Sequence, residues 1–299
     1  MASSEDDRKL AHKWVMVGLD VHYERGNYQM AITCFDKAIE FYPDYQLALF
    51  AKGDALRRLG RHESAIECFD KALLKDESDH AVWICKAESL YSLGRFNEAI
   101  NCFNKALEIN PKVHFLWACK ADALVFLGRY EEANTCYDKA LAKDPNALSA
   151  TQWSNKGEAL RRIHRYKKAV ICFNKALAIE PNNPNAWSNK GCVFGDQGQW
   201  SEALKCHEKS LELDPKDAQK WYNKSVALRE LGRPMEALEC LDRALVIKPE
   251  YPNALLNKGI VLENIQRYRE AIMCYQKAID LGEKDFAQKN LQRLKKMGY

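Results

Sequence analysis

The stretch HAVWICKAESLYSLGRFNEAINCFNKALEINPKV, residues 80–113, carries the pattern that decides the fold. In its first half, Trp83, Ala87 and Leu90 follow one another at three or four residues, the spacing of one helix face. Gly94 suits the left-handed conformation that ends many helices. A second apolar run with the same spacing follows, and a proline closes it. The stretch therefore predicts two amphipathic helices joined by a tight turn.

The same pattern recurs along the chain every 34 residues, with two extra residues at Leu148 and Ser149. A fixed period of this length is typical of stacked supersecondary units. We number positions within the unit, so that position 1 of the third copy is His80. Position 20 is alanine in every copy, namely Ala31, Ala65, Ala99, Ala133, Ala169, Ala203, Ala237 and Ala271. Position 8 is always small, namely Gly18, Gly53, Ala87, Ala121, Gly157, Gly191, Ser225 and Gly259.

These residues, which extend over about residues 11–285, resemble the tetratricopeptide repeat. The resemblance implies an all-α fold, a right-handed superhelical solenoid of antiparallel helix-turn-helix repeats. We expect a flexible leader at 1–10, a C-terminal capping helix at 286–299 and eight repeats between them. The expected repeats are residues 11–45, 46–79, 80–113, 114–147, 150–183, 184–217, 218–251 and 252–285.

Composition limits the classes of function. The 299 residues carry a formal net charge of only +4, and the two signs are mixed along the helices. A broad basic surface for nucleic acid is therefore not expected. No apolar run reaches membrane-spanning length, and the first residues lack the basic region and apolar core of a secretory signal. We predict a soluble, cytoplasmic protein without membrane or nucleic-acid partners.

Eleven cysteines are present, and eight of them occupy position 23 of the repeat. This ladder has two interpretations: a metal-binding or redox-active row, or small apolar fillers on the second helix. Packed helices lie about 10 Å apart, whereas a disulfide requires Cα atoms within about 7 Å. The filler interpretation is favoured, and so many unpaired thiols indicate a reducing compartment. The ladder consists of Cys34, Cys68, Cys102, Cys136, Cys172, Cys206, Cys240 and Cys274.

Motifs of catalysis are lacking. The sequence contains no glycine-rich phosphate loop, no His-Glu-x-x-His zinc motif and no Gly-x-Ser-x-Gly elbow. The acidic and basic residues are accounted for by solvated helix faces. We therefore predict a protein that is not an enzyme and has no cofactor and no metal site.

The resemblance implies that the first helix of each repeat lines a concave groove, with positions 2, 5, 6, 9, 12 and 13 meeting a ligand. In the first four repeats this face is unusually apolar, and acidic residues accompany it. An apolar stripe bordered by charge is typical of a partner site; alternatively, the helices cover one another more than this face suggests. The candidate residues are Phe50, Ile84, Phe115 and Phe126, with Asp54, Glu88 and Asp122.

In the last four repeats the same face is polar, and position 6 is asparagine in each: Asn155, Asn189, Asn223 and Asn257. A carboxamide offers a donor and an acceptor, so it can pair with a peptide backbone whatever its side chains. The arrangement is similar to the asparagine ladder in the repeat domain of O-linked N-acetylglucosamine transferase. Equally, asparagine is common at this position of the repeat.

Two basic features have a functional and a structural interpretation. Arg57 with Arg58, and Arg161 with Arg162, are paired guanidiniums that suit carboxylates. The residues of the family's carboxylate clamp for chaperone tails do not occur in three successive repeats. Position 7 is lysine in seven repeats, which indicates either stems packed between units or a groove for acidic ligands. Those lysines are Lys52, Lys86, Lys120, Lys156, Lys190, Lys224 and Lys258.

Together these features predict a non-enzymatic scaffold that holds an extended or helical segment of a protein or peptide partner in its groove. Two alternatives stay open: a self-associating structural module, and a thiol- or metal-responsive protein built on the cysteine ladder. The partner's identity and the oligomeric state do not follow from the sequence.

Overall fold

The computed structural model describes residues 4–23, 26–283 and 285–299, without the side chains of His22 and Tyr23. These ranges contain seventeen α-helices and no strand, which confirms the all-α fold class. The chain forms two compact units, Met1–Leu148 and Ser149–Tyr299, and each is described by itself.

The first unit contains four helix pairs, in each of which consecutive helices pack against each other. Ser4 caps the first helix through mutual hydrogen bonds with Asp7, so the leader predicted at 1–10 includes a helix start, while residues 1–3 lie outside the described part. The helices are α1 (Glu5–Tyr23), α2 (Tyr28–Phe41), α3 (Gln46–Arg58), α4 (His62–Leu73), α5 (His80–Ser92), α6 (Phe96–Ile109), α7 (Phe115–Phe126) and α8 (Tyr130–Lys143).

The second unit repeats this organisation and adds one helix. Its last helix, α17, packs against α16 and buries Ala287, Leu291 and Leu294 there. The helices are α9 (Ala150–Arg162), α10 (Tyr166–Ile179), α11 (Pro184–Asp196), α12 (Trp200–Leu213), α13 (Ala218–Glu230), α14 (Pro234–Ile247), α15 (Pro252–Asn264), α16 (Tyr268–Asp280) and α17 (Asp285–Lys296).

Each hairpin turn is made by one residue in the left-handed region. In the third hairpin Gly94 has φ 73°, its N–H donates to the Tyr91 carbonyl, and the Arg95 N–H donates to the Leu90 carbonyl. These bonds satisfy carbonyls at the end of the helix that no helical N–H reaches. His164 and Gln266 adopt the same conformation, with φ 59° and 65°, although neither is glycine.

We expect His164→Gly to raise the free energy of unfolding by about 1 kcal/mol, because a side chain in the left-handed region is strained by about that much. Gln266→Gly is expected to act alike. Urea unfolding followed by circular dichroism measures the change. The control is Asn182→Gly, since Asn182 lies on the surface outside this conformation. Equal or lower stability of both turn variants would contradict the strain.

Small residues at position 8 permit the close approach of the two helices in a hairpin. A Cβ added to Gly53 would lie 2.5 Å from Cε1 of Phe69, and one added to Gly259 would lie 2.4 Å from Cε1 of Tyr275. No real Cβ tolerates such contacts, so in these two hairpins the ring at position 24 packs where a Cβ would otherwise be. The sixth repeat departs from this pattern, since the ring over Gly191 is that of His207.

Two lysines of position 7 pair with the second helix of the preceding hairpin. Lys86 Nζ, in α5, lies 2.5 Å from Asp70 Oδ1 in α4 and 5.5 Å from the centre of the Trp83 ring. Lys52, in α3, pairs in the same way with Asp36 in α2. The charges are thus compensated between neighbouring repeats, which agrees with the structural interpretation of this lysine row.

The cysteine ladder is largely buried and its thiols are free. Burial raises the pKa of Cys102 and of Cys240 to about 11, which disfavours the reactive thiolate. Among the residues that the structure places, no three His, Cys, Asp or Glu side chains are grouped to hold a metal ion. These facts support the role of the ladder as small apolar filler.

Candidate functional site

A polar cavity of about 390 Å³ opens between the first helices of three consecutive hairpins of the second unit, α9, α11 and α13. Carboxamides supply six of its eleven lining residues. The lining consists of Thr151, Ser154, Asn155, Asn183, Asn185, Ser188, Asn189, Asp217, Gln219, Lys220 and Asn223. Three of the four asparagines of the predicted ladder are therefore brought together here.

The helical period explains the lining. Positions 2, 5 and 6 of a repeat lie on one helix face because residues three and four apart are neighbours. In α11 these positions are Asn185, Ser188 and Asn189, and the opposite side of the helix is held by the close packing of Gly191 on His207. Positions 2 and 6 are thus polar in all three first helices, and position 5 is serine in α9 and α11 but tyrosine in α13.

Two lining residues come from the helix starts, and sequence reasoning missed them. Asn183 caps α11, its Oδ1 accepting the N–H of Ala186, and Asp217 caps α13 by accepting the N–H of Gln219. The available signal was a good capping residue directly before each first helix. Capping turns these side chains toward the end of the cavity.

Part of the polar lining is fixed by bonds within the chain. The Gln219 amide donates to Asn223 Oδ1 at 2.9 Å, and the Asn223 amide donates to Ser188 Oγ at 3.2 Å. The Tyr251 hydroxyl donates to Gln219 Oε1 at 2.5 Å. This chain of bonds orients the carboxamides of α13 before any ligand arrives.

Two other lining groups have no hydrogen-bond partner among the residues that the structure describes. Asn189 makes no side-chain hydrogen bond to any residue that the structure describes, although it lies at the centre of the three helices. The hydroxyl oxygen of Ser154 is buried and has no partner within the same set of residues. Asn189 is partly exposed, so its carboxamide keeps donors and an acceptor that a bound molecule can reach.

The charged residues of the cavity compensate each other. Lys220 is almost fully buried, and its ammonium donates to Asp217 at 2.5 Å and to Asp214 at 2.9 Å. Burial alone would raise the pKa of Asp217, but the hydrogen bonds from Lys220 and from the Gln219 N–H bring it below its ordinary value. The cavity therefore suits an uncharged polar chain rather than an ion.

Asn257, the fourth asparagine of the predicted ladder, is placed differently. It is 8 % exposed, and its Oδ1 accepts a bond from the Arg229 guanidinium. Its amide donates to the Tyr222 hydroxyl and to the Asn253 carbonyl, each at 3.1 Å. Both ends of the carboxamide are engaged, so it has no free group for a ligand.

The acidic candidates of the first unit are paired with arginines. Asp54 is 5 % exposed and accepts bonds from Arg57 at 2.6 Å and Arg58 at 3.0 Å, while Arg57 also bonds Glu88 at 2.9 Å. Burial alone would raise the pKa of Asp54, but both arginines hold it below its ordinary value. This network links α3 to α5 and leaves little net charge.

Two further polar candidates are similarly engaged. Arg161 joins α9 to α11 through Glu158 at 2.8 Å and Asp196 at 2.7 Å, the counterpart in the second unit of the Arg57 bridge. Asp122 accepts the Tyr137 hydroxyl at 2.5 Å. These side chains stabilise neighbouring helices, and a role in contacting a partner stays a prediction.

The four apolar candidates differ in their exposure. Phe50 is half-buried, with its ring centre 6.2 Å from that of Phe69, and Ile84 is half-buried against the core. Phe115 is exposed, and so is Phe126, whose ring is 62 % exposed and stacks on Phe96 at 4.8 Å. Only these last two present apolar surface to solvent.

Helix hairpins in tandem and a polar cavity on their first helices define a binding module of the tetratricopeptide-repeat class. The family model of the C-terminal domain of cilia and flagella-associated protein 70, a tetratricopeptide-repeat domain, matches residues 74–294, and the chain belongs to this family. A model of subunit 3 of the anaphase-promoting complex, or cyclosome, matches residues 24–106. No curated protein matches the chain in sequence. Such repeats are generally non-enzymatic, and this membership indicates a protein-interaction scaffold.

Three solved structures agree on the fold. YrrB, described as a tetratricopeptide-repeat protein with an unusual peptide-binding site, is 26% identical, with a TM-score of 0.55 over 64% of this chain and 98% of its own. The Cut9–Hcn1 hetero-tetramer of the anaphase-promoting complex is 16% identical, with a TM-score of 0.63 over 94% and 55%. A repeat protein of Parabacteroides merdae ATCC 43184 is 17% identical, with a TM-score of 0.59 over 88% and 99%.

A helix that crosses a membrane must be both long and apolar. Within the described ranges, none is both long and apolar enough to cross a bilayer.

Proposed function

We propose that this protein is a non-enzymatic scaffold that binds an extended segment of a partner protein through the segment's backbone, in the polar cavity of the second unit. The single observation that carries the proposal is the unused Asn189 carboxamide beside the unpartnered Ser154 hydroxyl. A peptide supplies an N–H and a carbonyl at each residue, which are the groups that this lining lacks.

The spacing of the lining fits an extended chain. Packed helices lie about 10 Å apart, so the position-6 asparagines of successive first helices recur at about that distance. An extended chain advances about 3.3 Å per residue, so every third residue of a bound segment meets one carboxamide. A cavity of about 390 Å³ lies within the range of about 300–1,000 Å³ that ligand sites occupy.

The comparisons support this type of activity without identifying the partner. YrrB is described as having a peptide-binding site, and Cut9–Hcn1 is an assembly of several chains. Binding of a peptide by the present chain is consistent with both. The exposed Phe115 and Phe126 of the first unit offer a second place where a partner side chain can bury apolar surface.

The test uses a library of random octapeptides passed over the immobilised full-length protein, followed by affinity measurement on the enriched peptides. We expect Asn189→Ala to weaken binding about fivefold, because it removes interactions worth about 1 kcal/mol. Asn182→Ala is the matched control, since Asn182 is an exposed asparagine outside the lining.

A second pair of variants separates the two surfaces. Phe115→Ala and Phe126→Ala leave the polar cavity intact, because both residues belong to the first unit. Loss of peptide binding in these variants, with full binding by Asn189→Ala, would contradict the proposed site.

A further inference from the structure

A second, smaller cavity of about 210 Å³ lies beside the polar one, and Asn223 lines both. Its walls include the rings of Trp200 and Tyr222 and the side chain of Val226. The paired Arg161 and Asp196 also line it, so its charged groups compensate each other. The two cavities thus adjoin within the second unit.

Two departures from the repeat lie in the lining of this cavity. Position 24 of the second helix is His207 here, whereas the other repeats have Phe35, Phe69, Phe103, Tyr137, Phe173, Leu241 and Tyr275. Position 12 of the first helix is Gly195, whereas the other repeats from the second onward have Arg57, Tyr91, Val125, Arg161, Arg229 and Glu263. The His207 ring packs on Gly191, and the Trp200 ring lies 3.1 Å from where a Cβ of residue 195 would be.

Two hairpins with tyrosine at position 24 show how this fold accommodates a phenol. The Tyr137 hydroxyl donates to Asp122 at 2.5 Å, and the Tyr275 hydroxyl donates to Glu263 at 2.9 Å. In both, a phenol bridges the second helix to the first. The sixth hairpin has Cys192 and Gly195 at the positions of these two acceptors and makes no such bridge.

One ring nitrogen of His207 has no hydrogen-bond partner in the described part of the chain. The residue is 4 % exposed, and its Nδ1 is buried without a partner in the described part of the chain. Burial lowers the pKa of His207 to about 4, so the imidazole is neutral at pH 7. A neutral ring nitrogen in such a position pairs with a hydroxyl rather than with an ion.

We propose that the His207 cavity receives the phenol side chain of a tyrosine in the segment bound by the polar cavity, with the phenol hydroxyl paired to His207 Nδ1. This inference rests on the proposed function and specifies its sequence preference. Aromatic walls favour a ring, and a dry cavity of about 150 Å³ already holds benzene. The unpaired nitrogen favours a phenol over a phenyl ring, because a buried polar group without a hydrogen bond destabilises the complex.

The probe is p-cresol, the side chain of tyrosine as a free molecule, with toluene as the comparison that lacks the hydroxyl. Each is titrated into the full-length protein, and the ¹⁵N resonances of the His207 ring are followed. We expect a saturable shift with p-cresol and at least tenfold weaker binding of toluene. Absence of a saturable His207 shift with p-cresol would overturn the proposal and leave the cavity to water.

Two variants with larger side chains in the cavity test whether p-cresol shifts the His207 signals by binding there. His207→Phe places the ring of Phe173 at the same repeat position. Gly195→Val adds a side chain whose Cβ would lie 3.1 Å from the Trp200 ring, which must shift by a few tenths of an ångström to admit it. Each is expected to abolish p-cresol binding. Full p-cresol affinity in both variants would overturn the proposal.

The peptide library distinguishes this inference from the function on which it rests. Peptides enriched by the wild type are expected to carry tyrosine at one fixed place, and those enriched by His207→Phe are expected to lack that preference. Peptides that bind through the asparagines without tyrosine enrichment overturn the side-chain site alone. Binding of p-cresol without binding of any peptide would support the tyrosine site in the His207 cavity. It would contradict the proposed binding of a peptide backbone by the polar cavity.

Discussion

Replacing Asn155, Asn189 and Asn223 together by alanine is expected to weaken binding of the enriched octapeptides by about 3 kcal/mol, roughly 150-fold. Each substitution removes one carboxamide of the polar cavity, and each loss leaves peptide groups unpaired at a cost of about 1 kcal/mol. Isothermal titration calorimetry on the full-length protein measures the change. The expected loss exceeds that of any single substitution.

The triple variant keeps the net charge and removes only partly exposed side chains, so the fold should persist. A far-ultraviolet circular dichroism spectrum and a melting curve like those of the wild type verify this. The double variant Phe115→Ala with Phe126→Ala serves as the control, and it should retain nearly full affinity. A folded triple variant that binds as tightly as the wild type would exclude the polar cavity as the main site.

Acidification from pH 7 to pH 4 should destabilise the wild type by about 3 kcal/mol more than His207→Phe. The pKa of His207 is lowered to about 4 in the folded protein, against 6.5 as its ordinary value, because the ring is buried. The unfolded chain therefore binds a proton that the folded chain excludes. The stabilisation is complete above about pH 6.5, falls as the pH drops and is lost near pH 4.

Urea unfolding of both proteins at several pH values between 4 and 7 measures the difference. Other groups that line the same cavity, Cys192, Arg161 and Asp196, are common to both proteins, so their titration cancels in the comparison. His12→Gln, a replacement of an exposed histidine, is the control for histidine removal. Parallel pH profiles of wild type and His207→Phe would show that the buried imidazole titrates normally.

Local features made the hairpins predictable from sequence. The apolar spacing of Trp83, Ala87 and Leu90 and the turn at Gly94 act within a few residues, and the structure has α5 and α6 on either side of that turn. The polar face at positions 2, 5 and 6 follows from the helical period alone, which is why Asn155, Asn189 and other predicted residues meet in one cavity.

Features that depend on distant partners escaped prediction. Asn257 has the same repeat position as Asn223, but it is only 8 % exposed, and it is bonded to Tyr222, 35 residues away, and to Arg229, 28 residues away. Arg57, which bonds Asp54 on its own helix, also bonds Glu88, 31 residues away on α5. Burial of a side chain on a helix depends on the next hairpin, which periodicity does not reveal.

The His207 cavity illustrates the same limit more strongly. The sequence shows a histidine in an aromatic position and a glycine twelve residues earlier, and neither is unusual alone. Only the packing of α11 against α12 and α13 shows that both residues line one cavity and that His207 Nδ1 has no partner in the described part of the chain.

The most direct test of backbone capture is a ¹H–¹⁵N correlation spectrum of the side-chain amides during titration with an enriched octapeptide. We predict saturable shifts of the NH₂ signals of Asn155, Asn189 and Asn223, and none for Asn257, which is 8 % exposed and lies outside the cavity lining. Unmoved signals of these three asparagines, together with shifts at Phe115 and Phe126, would contradict the account.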